Sequence, residues 1–337
     1  MAIISNCTAS ITKDAALALK EGHLVTFPTE TVYGFGADAT NEKAVARIYE
    51  VKGRPTDHPL IVHISSIDLI DKWASEIPEY AIKLARAFWP GPMTLVLKRT
   101  ELAKDFITGS QDTVSIRIPS HALASQLLKE FESLGAYGVA APSANRFEKV
   151  SPTNSHAVEE ELGNFLLEND HILDGGQSQI GIESTIIDCT QDIPIILRPG
   201  FMTSEMIESF LSIDLTKLDL ESNKIMAPGL LEAHYSPNAR VVLNGVPQQG
   251  DGFIALADVP TPTGTVRLAS PKNNTEYAHE LYDSLRLADV KGFTTVQVMP
   301  PIEQGIGVAI NNRLIKAAFK KKCLSCKIIK IILSVFG

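Results

Sequence analysis

Residues 27–39 read FPTETVYGFGADA, a run of hydroxyl, glycine and other small residues that directly follows the short apolar segment His23–Phe27. The apolar segment predicts a buried strand, and Asn41 predicts the N-terminal cap of a helix. A turn between a strand and a helix leaves backbone N–H groups open, so such turns commonly hold ligands. The stretch therefore predicts a strand, a ligand-binding turn and a helix, the beginning of an α/β fold.

An alternative interpretation of the same stretch is a dinucleotide-binding turn, because Gly34, Gly36 and Ala39 have the spacing G-x-G-x-x-A. Six residues, PTETVY, separate the apolar strand from Gly34, whereas the dinucleotide fingerprint requires a tight strand–turn–helix. Dinucleotide binding is therefore the weaker alternative. The chain has no GxxxxGKS or GxxxxGKT sequence, which excludes a P-loop.

Strand-like and helix-like segments alternate on both sides of this stretch, as is typical of an α/β protein with a mixed sheet. In the helix after Asn41, apolar side chains recur on one face. The alternation reaches a helix near Thr203–Leu211, lapses in a polar, turn-rich segment, and then resumes in a shorter form. We predict four parts: a large domain with a twisted mixed sheet over 1–211, an interdomain linker or lid over 212–238, a small Rossmann-like α/β domain over 239–320, and an atypical tail over 321–337.

Composition narrows the class of protein. The 337 residues include 45% hydrophobic residues and carry a formal net charge of −8. This fits a globular protein with a sizeable core, and it argues against general nucleic-acid coating, which needs broad basic surfaces.

No secretory signal is visible, and four scattered cysteines favour a reducing cytoplasm. Cys323 and Cys326 form one CxxC, interpreted as plain thiols rather than zinc ligands, and the tail is too short and too interrupted to span a membrane.

A basic loop follows the predicted second helix. Residues 51–64 contain four basic side chains within twelve positions: Lys52, Arg54, His58 and His63. A lysine at a helix C-terminus is by itself an ordinary complement to the helix dipole. A glycine and a proline bracket Arg54, however, and a rigid loop is a good way to aim a guanidinium at phosphate oxygens. The segment therefore indicates an anion-binding loop.

Polar residues also collect on strands and at strand ends. Thr113, Ser115 and Arg117 alternate with apolar residues, so they share one face of a strand. That face is either solvated or the floor of a polar cavity in which Arg117 binds a carboxylate, and the pattern alone leaves both open. Further polar residues lie just past a strand end or at a strand boundary: Ser143, Asn145, Ser151, Ser184 and Arg198. None of these segments is a nucleophilic triad, a metal-ligand set or a carboxylate pair, so the chemistry indicated is anion binding and positioning.

Together these segments resemble the YrdC-like family, and specifically its long two-domain form, the threonylcarbamoyl-AMP synthases. The K-x-R and S-x-N signature of that family is present as Lys52-Gly53-Arg54 and Ser143-Ala144-Asn145. The segments FPTETVYG, HPLIVHI, WPGPMTLVL, SIRIP, APSAN, IEST and LRPG also match, as does GIGVAINNRLIKAA near the end of the small domain. The resemblance extends to about Lys320, and the tail beyond it does not resemble the family.

The resemblance implies a YrdC-like domain with a basic cavity. It implies synthesis of L-threonylcarbamoyladenylate and pyrophosphate from L-threonine, bicarbonate and ATP, for threonylcarbamoyladenosine modification of tRNA next to the anticodon. The expected cofactor is Mg²⁺ bound through the ATP phosphates, with no metal held by the protein itself and no organic cofactor. The expected recipient is the downstream tRNA threonylcarbamoyl-transferase machinery, no membrane partner is expected, and direct tRNA binding stays open.

The resemblance also assigns site residues. The L-threonine site would be lined by Thr31, His63, Arg117, Ala141 and Ser184. ATP would contact Arg54, His58, Thr113, Ser143, Ser151, Arg198, His234 and Tyr235. The catalytic set would be Lys52, Arg54, Ser143 and Asn145.

The linker is the remaining sequence feature. Residues 226–238 read MAPGLLEAHYSPN, in which His234 and Tyr235 lie between two proline-containing turns. A passive tether is more often rich in glycine and serine, or charged, so this composition favours a defined shape that closes over ATP as a lid. The alternative is a linker that merely packs on the domain surface.

Two other functions remain as alternatives. A non-enzymatic RNA-binding module could use the same basic concavity, although the net charge and the lack of aromatic–basic stripes count against it. A related acyl- or carbamoyl-adenylating enzyme with a different acceptor could use the same anion-binding residues.

Overall fold

The computed structural model describes residues 3–6, 9–215, 225–228 and 234–319. Two sheets organise this part of the chain, one mixed with eleven strands and one parallel with four strands. The predicted tail over 321–337 with its CxxC lies outside the described residues, as do 216–224 and 229–233 of the predicted linker. In sequence, the strands of the mixed sheet precede the predicted linker and those of the parallel sheet follow it. The exact domain limits given above stay predictions.

The large domain contains the mixed sheet and the helices that cover it. Its strands are β1 (Ile3–Asn6), β2 (Val25–Phe27), β3 (Gly34–Asp38), β4 (Ile61–His63), β5 (Ala74–Ser75), β6 (Met93–Arg99), β7 (Thr113–Arg117), β8 (Val139–Ala140), β9 (His171–Asp174), β10 (Thr185–Asp188) and β11 (Ile195–Arg198). Its helices are α1 (Ala9–Lys20), α2 (Glu42–Lys52), α3 (Ile70–Trp73), α4 (Glu79–Phe88), α5 (Asp105–Thr108), α6 (Ala122–Ser133), α7 (Ser155–Leu162) and α8 (Ser204–Leu211). The strand order is β1-β9-β2-β3-β8-β4-β7-β6-β10-β11, with β5 paired to β6.

Strand directions bring the ends of β4 and β7 together near the middle of the sheet. These strands are parallel, and His63 is the register partner of Arg117. On one side β8 runs antiparallel to β4, and on the other β6 runs antiparallel to β7. Two residues predicted from separate segments, 54 positions apart, therefore lie side by side at one strand end.

The glycine-rich stretch is a strand, which the sequence did not predict. β3 runs antiparallel to β2 and is buried along its whole length. A Cβ at Gly36 would lie 2.7 Å from Val139 and 2.9 Å from the ring of Phe27, so only glycine allows this close approach. The interpretation of 28–39 as a single turn was therefore wrong for 34–38. The dinucleotide alternative loses its basis, because the two glycines occupy a strand and not a strand-to-helix turn.

Helix α2 carries the basic loop to the cavity. Its N-cap is Asn41, whose side chain accepts a hydrogen bond from the Ala44 N–H, and its buried face includes Ala44 and Ile48, as the periodicity predicts. The helix ends where Gly53 adopts φ 62°, a left-handed conformation that is costly for residues with a side chain. This turn reverses the chain directly after Lys52 and directs Arg54 inward, where both side chains are buried.

The small domain is a separate α/β unit. Its strands are β12 (Arg240–Leu243), β13 (Gly252–Ile254), β14 (Val266–Ala269) and β15 (Thr295–Val298), in the order β12-β15-β13-β14 and all parallel. Its helices are α9 (Asn274–Val290) and α10 (Ile306–Ala318). One apolar cluster joins the two domains, since Val32, Val150 and Ile182 pack in the same core as Tyr277 and Leu281.

These features confirm the predicted α/β class, the large mixed sheet and the two-domain architecture. Sequence reasoning missed β1, β5 and α5 as well as β3, and three of these four elements have four residues or fewer. None of the helices in the described ranges is both long and apolar enough to cross a bilayer.

Candidate active site

A buried cavity of about 50 Å³ lies where the β2–β3 loop, the ends of β4 and β7, the residues before β10 and the linker meet. Most of the predicted site residues line it. They are Thr31, Arg54, His63, Arg117, Ala141, Ser143, Ser184, Arg198, His234 and Tyr235. The structure thus brings residues from both predicted subsites and from the linker into one enclosure.

Arg117 is fixed from several sides at the floor of this cavity. Its Nη1 donates to Thr31 Oγ1 at 2.9 Å, and its Nε donates to the Gly91 carbonyl at 3.2 Å. Its Nη2 lies 2.7 Å from Oε1 of Glu30, and both side chains of this ion pair are almost fully buried. A guanidinium held in this way is pre-organised to bind a carboxylate at its remaining donor edge.

His63 lies beside Arg117 and is neutral at ordinary pH. Burial and, as the next largest cause, the positive charge of Arg117 together lower the pKa of His63 to about 3. Its ring packs edge-on against Phe27, with 5.8 Å between ring centroids. Its buried Nδ1 has no hydrogen-bond partner within the described residues under strict geometric criteria.

The buried histidines of the site predict acid sensitivity. Burial also lowers the pKa of His234 to about 3. Both imidazoles bind a proton near pH 6.5 in the unfolded chain but only near pH 3 in the folded protein, so stability falls as the pH drops below 6.5. We expect the free energy of unfolding to fall by up to about 1.4 kcal/mol per pH unit for each histidine.

The informative window is pH 6.5 to 4.5. Below pH 4.5 Glu183 takes up a proton in the unfolded chain but stays ionised in the folded protein, where its pKa is about 2, and this also lowers stability as the pH falls. Urea denaturation at stepped pH measures the slope. The variant His63→Asn should show a shallower slope there, whereas His156→Asn, which changes an exposed histidine, should match the wild type. Equal slopes in all three proteins would contradict the assignment.

Lys52 and Asn145 support the cavity wall from behind and do not line it. The Lys52 ammonium donates to the Ser143 carbonyl at 2.6 Å and also to the Asn145 carbonyl. The Asn145 amide donates to the carbonyls of Arg146 and Lys149. Burial and the nearby Arg54 hold the pKa of Lys52 well below its usual range. The hydrogen bonds of Lys52 therefore connect the K-x-R segment to the S-x-N segment, and this connection helps to position Arg54 and Ser143.

Arg198 and Ser184 form the opposite wall. Arg198 Nε donates to the Ser184 carbonyl at 3.0 Å and its Nη2 donates to Ser184 Oγ at 3.1 Å. Arg198 Nη1 donates to the carbonyl of Pro228, so this arginine also holds the linker. Ser184 Oγ lies 2.8 Å from the hydroxyl of Thr94 on β6. The wall is thus tied to both the sheet and the linker.

The linker residues His234 and Tyr235 line the cavity. Both are buried, and their ring centroids are 4.0 Å apart. Tyr235 adopts φ 60° and stacks on Tyr282 of α9, with 5.6 Å between centroids. The described part of the linker therefore has a defined shape, held on one side by the small domain.

Three predicted ATP contacts lie outside the cavity lining. His58 packs edge-on against Phe147 at 5.6 Å between ring centroids. Ser151 is buried and donates to Glu183, which does line the cavity. Thr113 begins β7, the strand that ends at Arg117, and it lines a separate open depression on the surface. Their roles stay predictions.

Sequence reasoning missed four residues around the site: Glu30, Glu183, Tyr282 and Arg313. Glu30 and Glu183 are each the single acidic residue in the matched segments FPTETVYG and IEST, and both are buried. Arg313 lies on the buried face of α10, where an arginine among apolar positions is a signal that the sequence does offer. The sequence contains no comparable signal for Tyr282, because a tyrosine on the apolar face of a helix is common in a hydrophobic core.

Comparison with known proteins gives matches along most of the chain. The Sua5/YciO/YrdC family, described as "Telomere recombination", matches residues 17–200. The family described as "Threonylcarbamoyl-AMP synthase, C-terminal domain" matches residues 202–319. Threonylcarbamoyl-AMP synthase of Pyrococcus abyssi is 40% identical over 90% of this chain and 93% of its own, and that of Bacillus subtilis is 39% identical over 90% and 92%.

A solved structure agrees in three dimensions. The crystal structure of P. abyssi Sua5 complexed with L-threonine has a TM-score of 0.82 and 37% identity, and the match covers 94% of this chain and 97% of that one. The match includes both sheets and not only the large domain. Sequence, fold and the composition of the cavity agree, and the chain belongs to the threonylcarbamoyl-AMP synthase family in its two-domain form.

Proposed function

We propose that this protein makes L-threonylcarbamoyladenylate and pyrophosphate from L-threonine, bicarbonate and ATP. The observation that carries the proposal is the pairing of His63 with Arg117 at one strand end, inside a buried cavity that Arg54 and Arg198 also line. ATP and bicarbonate are anions and threonine carries a carboxylate, and in a chain of net charge −8 this cavity is lined by three arginines: Arg54, Arg117 and Arg198. Such a site neutralises and aligns anions.

Threonine binds on the Arg117 side. Arg117 receives the carboxylate with the donor edge that Glu30 and Thr31 leave open. Neutral His63 offers its ring nitrogen to a polar group of the amino acid. The small side chain of Ala141 and the hydroxyl of Ser184 border the same space. This arrangement suits a small hydroxylated amino acid.

The nucleotide binds on the side of Arg54 and Arg198. Arg54 Nη2 donates to the Pro59 carbonyl at 3.0 Å, whereas its buried Nε has no partner among the described residues. Burial lowers the pKa of Arg54 to about 10, so it stays protonated at neutral pH. Its guanidinium and the Ser143 hydroxyl line the cavity and are available to phosphate oxygens.

The residues present also fit the expected Mg²⁺, provided that it arrives on the nucleotide. The two carboxylates closest to the site, Glu30 and Glu183, are each paired with an arginine. Mg²⁺ held mostly by phosphate oxygens and water needs no dedicated protein cage. When bound, it would neutralise charge on the triphosphate.

The reaction then requires alignment rather than a covalent intermediate on the enzyme. The neutral threonine amine attacks the carbon of bicarbonate and a water molecule leaves, which gives a carbamate. A carbamate oxygen then attacks the α-phosphorus of ATP as pyrophosphate leaves. Arg54 and Arg198 orient the phosphates, and Arg117 holds the amino acid by its carboxylate. Both the carbamate and the mixed anhydride react with water, so exclusion of water favours the product.

The linker acts as a lid over this reaction. A cavity of about 50 Å³ is far smaller than the several hundred Å³ of ordinary ligand pockets. Because His234 and Tyr235 fill the space on one side, nucleotide entry requires this segment to move. Proteolysis within the linker reports that motion, and it should slow when ATP and threonine are added together.

The decisive assay follows pyrophosphate release and the AMP-linked product. We expect both only when ATP, L-threonine and bicarbonate are all present, because the attacking carbamate forms from the latter two. Omission of either should reduce the rate to background. Equal turnover without threonine would refute the proposal.

The same assay separates the alternative functions. Turnover with a different amino acid in place of threonine would identify an adenylating enzyme with another acceptor. RNA binding without any turnover would identify a binding module. In the proposed reaction the product passes to the machinery that modifies tRNA, and we propose that the enzyme works in the cytoplasm.

A further inference from the structure

Glu183 is a buried carboxylate that joins the two domains at the cavity. Its Oε1 accepts a hydrogen bond from Ser151 Oγ at 2.6 Å. Its Oε2 accepts from the Tyr282 hydroxyl at 2.8 Å and from Arg313 Nε at 2.9 Å. Ser151 belongs to the large domain, whereas Tyr282 and Arg313 belong to α9 and α10 of the small domain. The small domain therefore supplies the cation that pairs with a cavity residue of the large domain.

Glu183 is ionised although it is buried. Burial by itself raises the pKa of this carboxyl group, but the charges of Arg313 and then Arg198 outweigh that effect and hold the pKa at about 2. Two arginines thus act on one carboxylate. A buried carboxylate whose partner is removed is strongly unfavourable, so it would attract the other cation.

Only one of these arginines binds Glu183. Arg313 contacts the carboxylate directly, and its Nη1 donates to the Pro199 carbonyl at 2.8 Å. Arg198 instead donates hydrogen bonds to neutral oxygens, among them those of Ser184 and Pro228. Arg198 therefore keeps its positive charge available to the cavity.

We propose that Arg313, supported by Tyr282, is a positioning residue that neutralises Glu183 and so leaves Arg198 free to bind a phosphate group of the nucleotide. The proposal rests on the function proposed above and deepens it by assigning a role at the nucleotide subsite to the small domain. Arg313 does not touch the substrate. It acts by occupying the carboxylate that would otherwise draw Arg198 away.

The test is the affinity for ATP, measured by calorimetry, in wild type and in Arg313→Met. We expect ATP to bind roughly tenfold more weakly, or worse, in the variant, because Arg198 turns to the unpaired carboxylate. In the synthesis assay the KM for ATP should rise by a larger factor than kcat falls. Arg313→Lys retains a charge near Glu183 and should lie between the two proteins.

A second substitution separates this role from a general loss of structure. In Arg313→Met/Glu183→Gln the negative charge is gone while hydrogen bonding to Ser151 and Tyr282 remains possible. ATP affinity should return to within roughly threefold of wild type. A purely structural role for Arg313 predicts that the double variant is at least as impaired as the single one.

Asp283→Asn is the matched control, since Asp283 is another interdomain carboxylate, bonded to Thr153 and Gln177, and it does not line the cavity. It should leave ATP affinity unchanged. The inference about Arg313, but not the proposed function, would be overturned by unchanged ATP affinity in Arg313→Met. It would also be overturned if adding Glu183→Gln to Arg313→Met did not restore the affinity. Failure of the wild type to bind ATP would overturn the proposed function together with it.

Discussion

Replacement of Arg117 by alanine should cost threonine affinity more than any other single substitution at the site. Loss of one partner of a desolvated charge pair costs about 2–5 kcal/mol, which corresponds to roughly 30-fold to several thousand-fold in the dissociation constant. Arg117 is buried at the cavity floor and already held by Thr31 and Glu30. Its guanidinium is thus pre-organised for the carboxylate.

The same substitution leaves Glu30 buried without its cation, so the protein should also lose stability, by about 3–5 kcal/mol. The double variant Arg117→Ala/Glu30→Gln removes that second effect. It should recover much of the lost stability but none of the threonine affinity. Calorimetric titration with threonine, together with thermal unfolding of each variant, measures both quantities. Threonine affinity that recovers along with stability would assign Arg117 a purely structural role.

Deletion of residues 225–337 should leave a folded large domain that makes little product. Strands β1–β11 and their covering helices lie before the deletion, so the main core is retained. The cavity loses His234 and Tyr235, and Glu183 loses Arg313. Misplacement of substrates by about 1 Å can cost 100-fold in rate, so we expect synthesis to fall by at least about that factor.

Circular dichroism of the truncated protein checks that it folds, and the pyrophosphate assay measures the rate. Glu183→Gln in the truncated chain removes the unpaired charge and isolates the contribution of the lid. If the rate stays low in that variant, loss of the lid accounts for the effect. A truncated protein that works at the full rate would show that neither the lid nor the small domain serves the reaction.

Much of this fold could be predicted because local pattern and tertiary packing agree. The helix predicted near Thr203–Leu211 is α8, and the face of α2 that the periodicity predicts is the buried one. Strand β3 could not be predicted, because its glycines have low strand propensity and are selected by the neighbouring Phe27 and Val139. Propensity there is overridden by a contact that is distant in sequence.

The candidate site shows the same division. Residues on strand ends, such as Arg117 and Ser184, were found because their motifs are local. The pair of Glu183 and Arg313 is separated by 130 positions and connects two domains, so no local pattern indicates it. Lys52 was predicted in the catalytic set, yet its ammonium is bonded to two backbone carbonyls, a role that only the position of residues 143–145 reveals.

The strand order of the large sheet has a consequence for synthesis of the chain on the ribosome. Strand β2 lies between β3, which follows it closely, and β9, whose pairing with it joins Val25 to His171. Strand β10, which directly follows Ser184, pairs with β6, a strand some 90 positions earlier in the sequence. The sheet therefore cannot be completed until more than half of the polypeptide has emerged, and such non-local pairing is slow. During that interval the nascent chain exposes unpaired strand edges, so its yield in cells should depend on protection by chaperones and on the pace of translation.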